Sequence, residues 1–261
     1  MSRLFEMLKK ALQTTPPSMG FRPVAAPSKP RMALLGIVTS VESLAPGALD
    51  EADAVVFYPG GTPTVKWFKL AAKAAGQKPW GVRLGAADKT LEQAESAGAD
   101  FIAFEPASMN LAVLEYQKLG RVLVLGASLE DSLIRAGAEL PFEAVIFELD
   151  AREISWQDLM FLRRTADLLP KPLLVKLLVD IKTSALEALW EAGVDGVMAP
   201  ADTASGLRAL RENMNKAAFS ERRKWMKMRP LVPILREESN PHAHEDEDDD
   251  DGEEEEACLQ P

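Results

Sequence analysis

Tyr58, Arg83, Glu105, Glu148 and Lys176 are the side chains of this 261-residue sequence best placed to do chemistry together. Each stands at or just past the end of a short apolar run. Counting by twos from those runs turns all five the same way, opposite to Val55, Phe57, Val82, Val145, Phe147 and Val175. Neighbouring bases can hold a small anion, and carboxylates beside them can exchange protons with it. Lys176 and Glu148 are therefore the candidate catalytic pair. Arg83, Glu105, Tyr58 and Ser128, which follows another apolar run, are the candidate ligand contacts. Lys176 has a second possible chemistry, because a neutral amine on a strand can form a Schiff base with a carbonyl substrate, as a lyase would use. The bland counterpart is a set of ion pairs that closes an apolar core, each charge having a partner at hand.

The elements that must position these residues come from a repeat. Lys78-Pro79-Trp80-Gly81-Val82-Arg83, then Lys89-Thr90, then Ala97-Gly98-Ala99-Asp100 return as Lys171-Pro172-Leu173-Leu174-Val175-Lys176, Lys182-Thr183 and Ala192-Gly193-Val194-Asp195. Upstream, Ala54-Val55-Val56-Phe57 matches Ala144-Val145-Ile146-Phe147. Eight apolar runs can be read: 32–38, 54–57, 80–84, 101–104, 122–125, 144–147, 173–177 and 196–199, each separated from the next by a segment of helical character. Short strands alternating with helices pair in parallel through right-handed crossovers. Two half-barrels of four such units predict one closed (β/α)₈ barrel, with any active site at the C-terminal ends of its strands. The alignment sets Arg83 opposite Lys176 and Tyr58 opposite Glu148, and makes Glu148 with Lys176, and Arg83 with Glu105, neighbours on adjacent strands.

Around the barrel, at 31–215, the sequence predicts an arm at 1–30, a basic segment at 216–236 and an acidic tail at 237–261. Leu4, Phe5, Leu8, Ala11 and Leu12 share one helical face, so the arm begins as a short amphipathic helix. It either packs on the barrel, across its bottom, or lies on a membrane surface. Pro16, Pro17, Pro23, Pro27 and Pro30 follow. Arg222, Arg223, Lys224, Lys227 and Arg229 surround Trp225 and Met226, a pattern that suits a final helix, a contact for anionic lipid or nucleic acid, or a partner for the tail.

Charge is distributed unevenly. Eleven of the forty acids lie in Glu245–Asp251 and Glu253–Glu256, leaving 29 acids against thirty bases elsewhere. Such a run repels itself, has no apolar residue to bury and is expected to stay disordered, available to a basic protein partner. No apolar stretch approaches the ~20 residues that cross a bilayer, and no secretory signal opens the chain. With a single cysteine, Cys258, these features predict a cytoplasmic protein without a transmembrane segment. No metal-ligand spacing occurs in the barrel, since His242 and His244 lie outside it. No specific nucleic-acid motif and no Gly-rich dinucleotide fingerprint is present, and hydrolysis through a barrel histidine or cysteine is excluded.

The stretch from Lys171-Pro172-Leu173-Leu174-Val175-Lys176 to Ala192-Gly193-Val194-Asp195-Gly196-Val197 resembles the dihydroorotate dehydrogenase-like flavin barrels, which belong to the aldolase-type barrels. The resemblance spans about 30 residues, and by it Lys176 would contact a flavin such as FMN. It implies an oxidoreductase. Those families continue with Gly-rich phosphate loops that this chain lacks. A phosphate group would have to use Thr203, Ser205 and Gly206 at the start of the last barrel helix. Two readings remain beside the Schiff-base lyase: a barrel that binds a small anionic metabolite or flavin-like cofactor at its mouth, and a non-catalytic barrel that acts as an interaction module through its termini.

Overall fold

In the computed structural model the strands β1 (Ala33–Val38), β2 (Ala54–Phe57), β3 (Trp80–Arg83), β4 (Phe101–Phe104), β5 (Gly120–Leu125), β6 (Ala144–Glu148), β7 (Leu173–Lys176) and β8 (Gly196–Pro200) pair in parallel, each with the next, and β8 returns to β1 to close the barrel. The structure describes residues 2–12, 32–85, 88–126, 129–149, 153–177, 181–201 and 204–219. Contacts divide the chain into Met1–Arg222 and Arg223–Pro261, and the second unit lies outside the described residues. So do most of the basic segment, the acidic tail and the Pro-rich part of the arm.

Alternation along each strand separates two cores. Leu35, Val56, Phe101, Val124, Ile146, Leu174 and Met198 fill the barrel interior. Val55, Phe57, Val82, Val145, Phe147 and Val175 face the outer helices, as the count by twos requires. Those helices are α2 (Val65–Ala75), α3 (Asp88–Ser96), α4 (Asp131–Gly137), α5 (Trp156–Leu168), α6 (Thr183–Glu191) and α7 (Ala204–Lys216), and α1 (Arg3–Leu12) precedes the barrel.

Two crossovers correct the expectation of a helical segment between every pair of strands. Between β1 and β2 the chain makes only turns, because Pro46 and Gly47, with φ +77°, break any helical run in the middle. Between β4 and β5 a single 3₁₀ turn, Leu111–Glu115, is capped by the Asn110 side chain.

The floor of the barrel is built by the residues that repeat. An acid immediately precedes every even-numbered strand: Asp53, Asp100, Glu143 and Asp195. Their amides donate to the carbonyls of Leu34, Trp80, Arg121 and Leu173 at 2.7–2.8 Å. The Asp53 and Asp195 carboxylates accept the amides of the same two residues, Leu34 and Leu173, at 2.9 and 2.8 Å. Asp100 and Glu143 serve the N-terminal segment instead. Asp100 accepts the Arg3 and Leu4 amides, both at 2.8 Å, and Glu143 accepts the Ser2 amide and hydroxyl. Gly120 leaves room for this, since a side chain there would collide with Ser2 and Glu143. Anchored in this way, α1 inserts Leu4 and Leu8, 1% and 0% exposed, into the barrel interior.

The repeated Lys-Pro pairs also belong to this end. Lys78 donates to the Asp50 and Ala52 carbonyls at 2.8 and 2.6 Å, and Lys171 to those of Leu140 and Phe142 at 2.6 and 2.7 Å. Each ammonium thereby fixes the turn ahead of β2 or β6. Lys171 also lies over the Phe142 ring, and its partial burial pushes its ammonium below the ordinary lysine range, opposed by the charge of Glu143.

Candidate functional site

At the opposite end, five inward-facing positions bring ionisable side chains together. β6 and β7 pair in a register that sets Glu148 directly beside Lys176, both one step above the apolar interior. Arg83 closes β3, and Glu105 follows β4. Tyr58 follows β2 and is held by its own amide, which continues the ladder to the Val38 carbonyl at 2.8 Å.

Glu148 is the hub. Its Oε1 accepts the Tyr58 hydroxyl at 3.1 Å and Lys176 Nζ at 3.4 Å, while its Oε2 faces Arg83 Nη2 at 3.3 Å. Arg83 Nη2 also meets Glu105 Oε1 at 2.6 Å. The Tyr58 ring lies under both cations, 5.3 Å from the Arg83 guanidinium carbon and 5.1 Å from Lys176 Nζ. The side chains of Glu148, Lys176 and Arg83 are 21%, 22% and 28% exposed, whereas Glu105 at 55% reaches into solvent and its ion pair is correspondingly weak. Burial pushes the Tyr58 hydroxyl well above its ordinary value, Glu148 adds to the effect through its charge and the hydrogen bond, and Arg83 opposes it.

Donors remain unspent. Among the described residues Arg83 Nε and Nη1 have no hydrogen-bond partner, and Lys176 uses one of its three protons. The Glu148 ion pair engages Lys176 as the ammonium, so attack on a carbonyl would first require that proton to leave, and Glu148 Oε1 is the acceptor at hand.

The structure thus unites Tyr58, Arg83, Glu105, Glu148 and Lys176. The neighbour pairs Glu148–Lys176 and Arg83–Glu105 both occur, and the cross-mouth contacts of Glu148 with Tyr58 and Arg83 come in addition. Ser128 and Thr203 lie outside the described residues. Ser205 is exposed and Gly206 half-buried in the first turn of α7, apart from the four-charge cluster in sequence and element. The floor acids and the two Lys-Pro lysines are the residues whose roles the sequence reading left unassigned. Their signal lies in the sequence, as an acid before every second strand and a Lys-Pro at the same place in each half.

No family model and no curated protein matches the chain. Solved structures do. A mutant tryptophan synthase α-subunit from the hyperthermophile Pyrococcus furiosus superimposes with a TM-score of 0.56 at 14% identity, over 71% of this chain and 97% of that one. Thiamine phosphate pyrophosphorylase from the same organism gives 0.56 at 17%, over 71% and 96%. The tryptophan synthase complex of P. furiosus gives 0.55 at 14%, with the same coverage. At such identities the likeness is one of fold alone, the closed (β/α)₈ barrel. Among the described residues no helix is long and apolar enough to cross a membrane, and no group of three or more metal-ligating side chains occurs.

Proposed function

We propose that the barrel mouth binds a small anionic metabolite, carrying a carboxylate or phosphate, through Arg83 and Lys176. Glu148 is the group that takes or returns a proton. The observation that supports this reading is the set of unspent donors on Arg83 and Lys176, two cations held within reach of one carboxylate and only partly open to solvent. Desolvated cations with free N–H groups attract anions more strongly than exposed ones. Aldolase-type barrels place their chemistry at this same end.

A flavin fits less well. The ring of Tyr58 already lies against both Lys176 and Arg83, where a flat cofactor stacked over the mouth would have to sit.

Calorimetric titration with inorganic phosphate and with succinate tests the proposal. Saturable binding is expected, weakened at least about tenfold in Arg83→Met and in Lys176→Met, a loss of roughly 1.4 kcal/mol. Circular dichroism checks that both variants fold. Absence of binding by both anions, or binding by the two variants as tight as that of the wild type, would return the cluster to a purely structural role in closing the core.

A further inference from the structure

We propose that α2 is the docking site of an acidic amphipathic helix from a partner protein. The missing helix between β1 and β2 leaves one flank of α2 uncovered. A cavity of about 370 Å³ opens there, between α2 and the turns that replace the helix, with Val41, Leu44, Pro46 and Leu70 among its walls. On the other flank a second cavity of about 570 Å³ separates α2 from α3, with Val65, Phe68 and Ala72 on the α2 side. The helix is therefore a ridge between two grooves, the first walled mostly by apolar side chains and the second apolar at Val65, Phe68 and Ala72, with Lys73 at the edge of one and Lys69 at the edge of the other. Its exposed large side chains, Val65 at 52% and Leu70 at 44%, border one groove each.

Charge selects the occupant. Lys66, Lys69 and Lys73 recur at helical spacing along the ridge, all exposed. None makes a hydrogen bond or ion pair among the described residues, and the first turn of α2 holds no acid. The far walls carry the opposite sign, Asp50 in one cavity and Glu92 in the other. A narrow ligand with acids along its centre meets the lysines and avoids these two carboxylates, whereas a broad polyanion such as nucleic acid meets all five charges. Apolar side chains flanking the acids would enter the grooves on either side of the ridge.

Fluorescence anisotropy of the full chain with a labelled Leu/Glu peptide of about 15 residues, roughly four helical turns, carrying a central row of glutamates flanked on both sides by leucines, provides the test. Saturable binding that weakens about tenfold in Lys66→Glu/Lys73→Glu and in Leu70→Asp, and that falls with added salt, is expected. These positions are exposed, and circular dichroism of the variants verifies folding. Equal binding of the peptide with lysine in place of glutamate, of a poly-glutamate peptide without leucines, or of single-stranded DNA would overturn the proposal. So would binding that the substitutions leave unchanged. Tighter binding after deletion of residues 245–256 would assign the surface to the chain's own acids and overturn the assignment to a separate partner.

Discussion

Tyr58 and Glu148, at equivalent places in the two half-barrels, meet across the barrel mouth in a 3.1 Å hydrogen bond. β2 and β6 are diametrically opposed in the closed order, so this bond spans the ring. It joins the two halves above the apolar interior and ties the Glu148–Lys176 pair of one half to the Arg83–Glu105 pair of the other. The mouth is a single polar layer. Whatever binds there must share or displace the contacts that Glu148 makes.

The Tyr58 hydroxyl is the group whose titration reports on this layer. Its folded-state value lies above the ordinary 10.0, chiefly through burial, so the neutral phenol is favoured by folding. The associated stability is fully present below about pH 10 and is lost as pH rises through the folded-state value. Absorbance titration of the wild type against Tyr58→Phe should show Tyr58 ionising only at pH well above the ordinary range. Denaturant melts should show the wild type losing stability more steeply than Tyr58→Phe above pH 10. An ordinary phenol midpoint for Tyr58 in the native protein would contradict the burial of its hydroxyl beside Glu148 at the mouth.

Glu148→Gln separates competition from positioning. The substitution removes a unit charge next to both cations while keeping the size of the side chain. One charge at about 4 Å is worth on the order of 1 kcal/mol in a water-accessible site. Affinity for inorganic phosphate should rise roughly fivefold, and any proton transfer in turnover should be lost. Weaker binding would show instead that Glu148 is needed to hold Arg83 and Lys176 in place.

The two Lys-Pro pairs make a paired prediction at the other end of the barrel. Replacing Lys78 or Lys171 by Met leaves two backbone carbonyls without their charged donor in each case. Partly exposed carbonyls recover water, so the expected cost is about 1–2 kcal/mol per variant rather than the full value of two charged bonds. Urea melts of the two single variants should show similar losses, the larger for Lys171→Met, which also gives up its contact with the Phe142 ring. Lys176→Met, at the mouth, should leave the floor turns intact.

Much of this architecture could be read from spacing. The eight runs coincide with the eight strands to within one or two residues, and alternation sorted inward from outward side chains, because the sheet period of two is local. Recurrence of Ala54-Val55-Val56-Phe57 ninety residues later located the halves. The unread part was what ring closure creates. Nothing in the positions of Tyr58, Arg83 and Glu148 indicates that side chains from β2, β3 and β6 reach one another, since that depends on the width of the barrel and on the length of each side chain. Between β1 and β2, Leu44, Ala45, Ala48 and Leu49 follow the spacing of a helical face, while Pro46 and Gly47 break the helix that this spacing suggests. The lysine of each Lys-Pro repeat drew attention as part of a motif, and its work turned out to be structural.

The floor offers the last prediction, since α1 is held there in two distinguishable ways. Asp100 caps its first turn through two amides and faces Arg3 Nε at 3.6 Å, whereas Leu4 and Leu8 fill the interior. Losing a cap of this kind costs about 1–2 kcal/mol, while emptying a fully buried leucine position costs about 2–5 kcal/mol. Asp100→Ala should therefore lower global stability modestly and selectively raise hydrogen exchange in α1, because the helix can lift away while the barrel above it stays closed. Leu8→Ala should lower the stability of the whole barrel, since the cavity it leaves is shared with the strands. If Asp100→Ala leaves the α1 amides as protected as before, the apolar plug and the Glu143 contact with Ser2 suffice to anchor the helix. Glu143→Ala in the Asp100→Ala background then decides between them, since protection that survives both substitutions leaves the plug as the anchor.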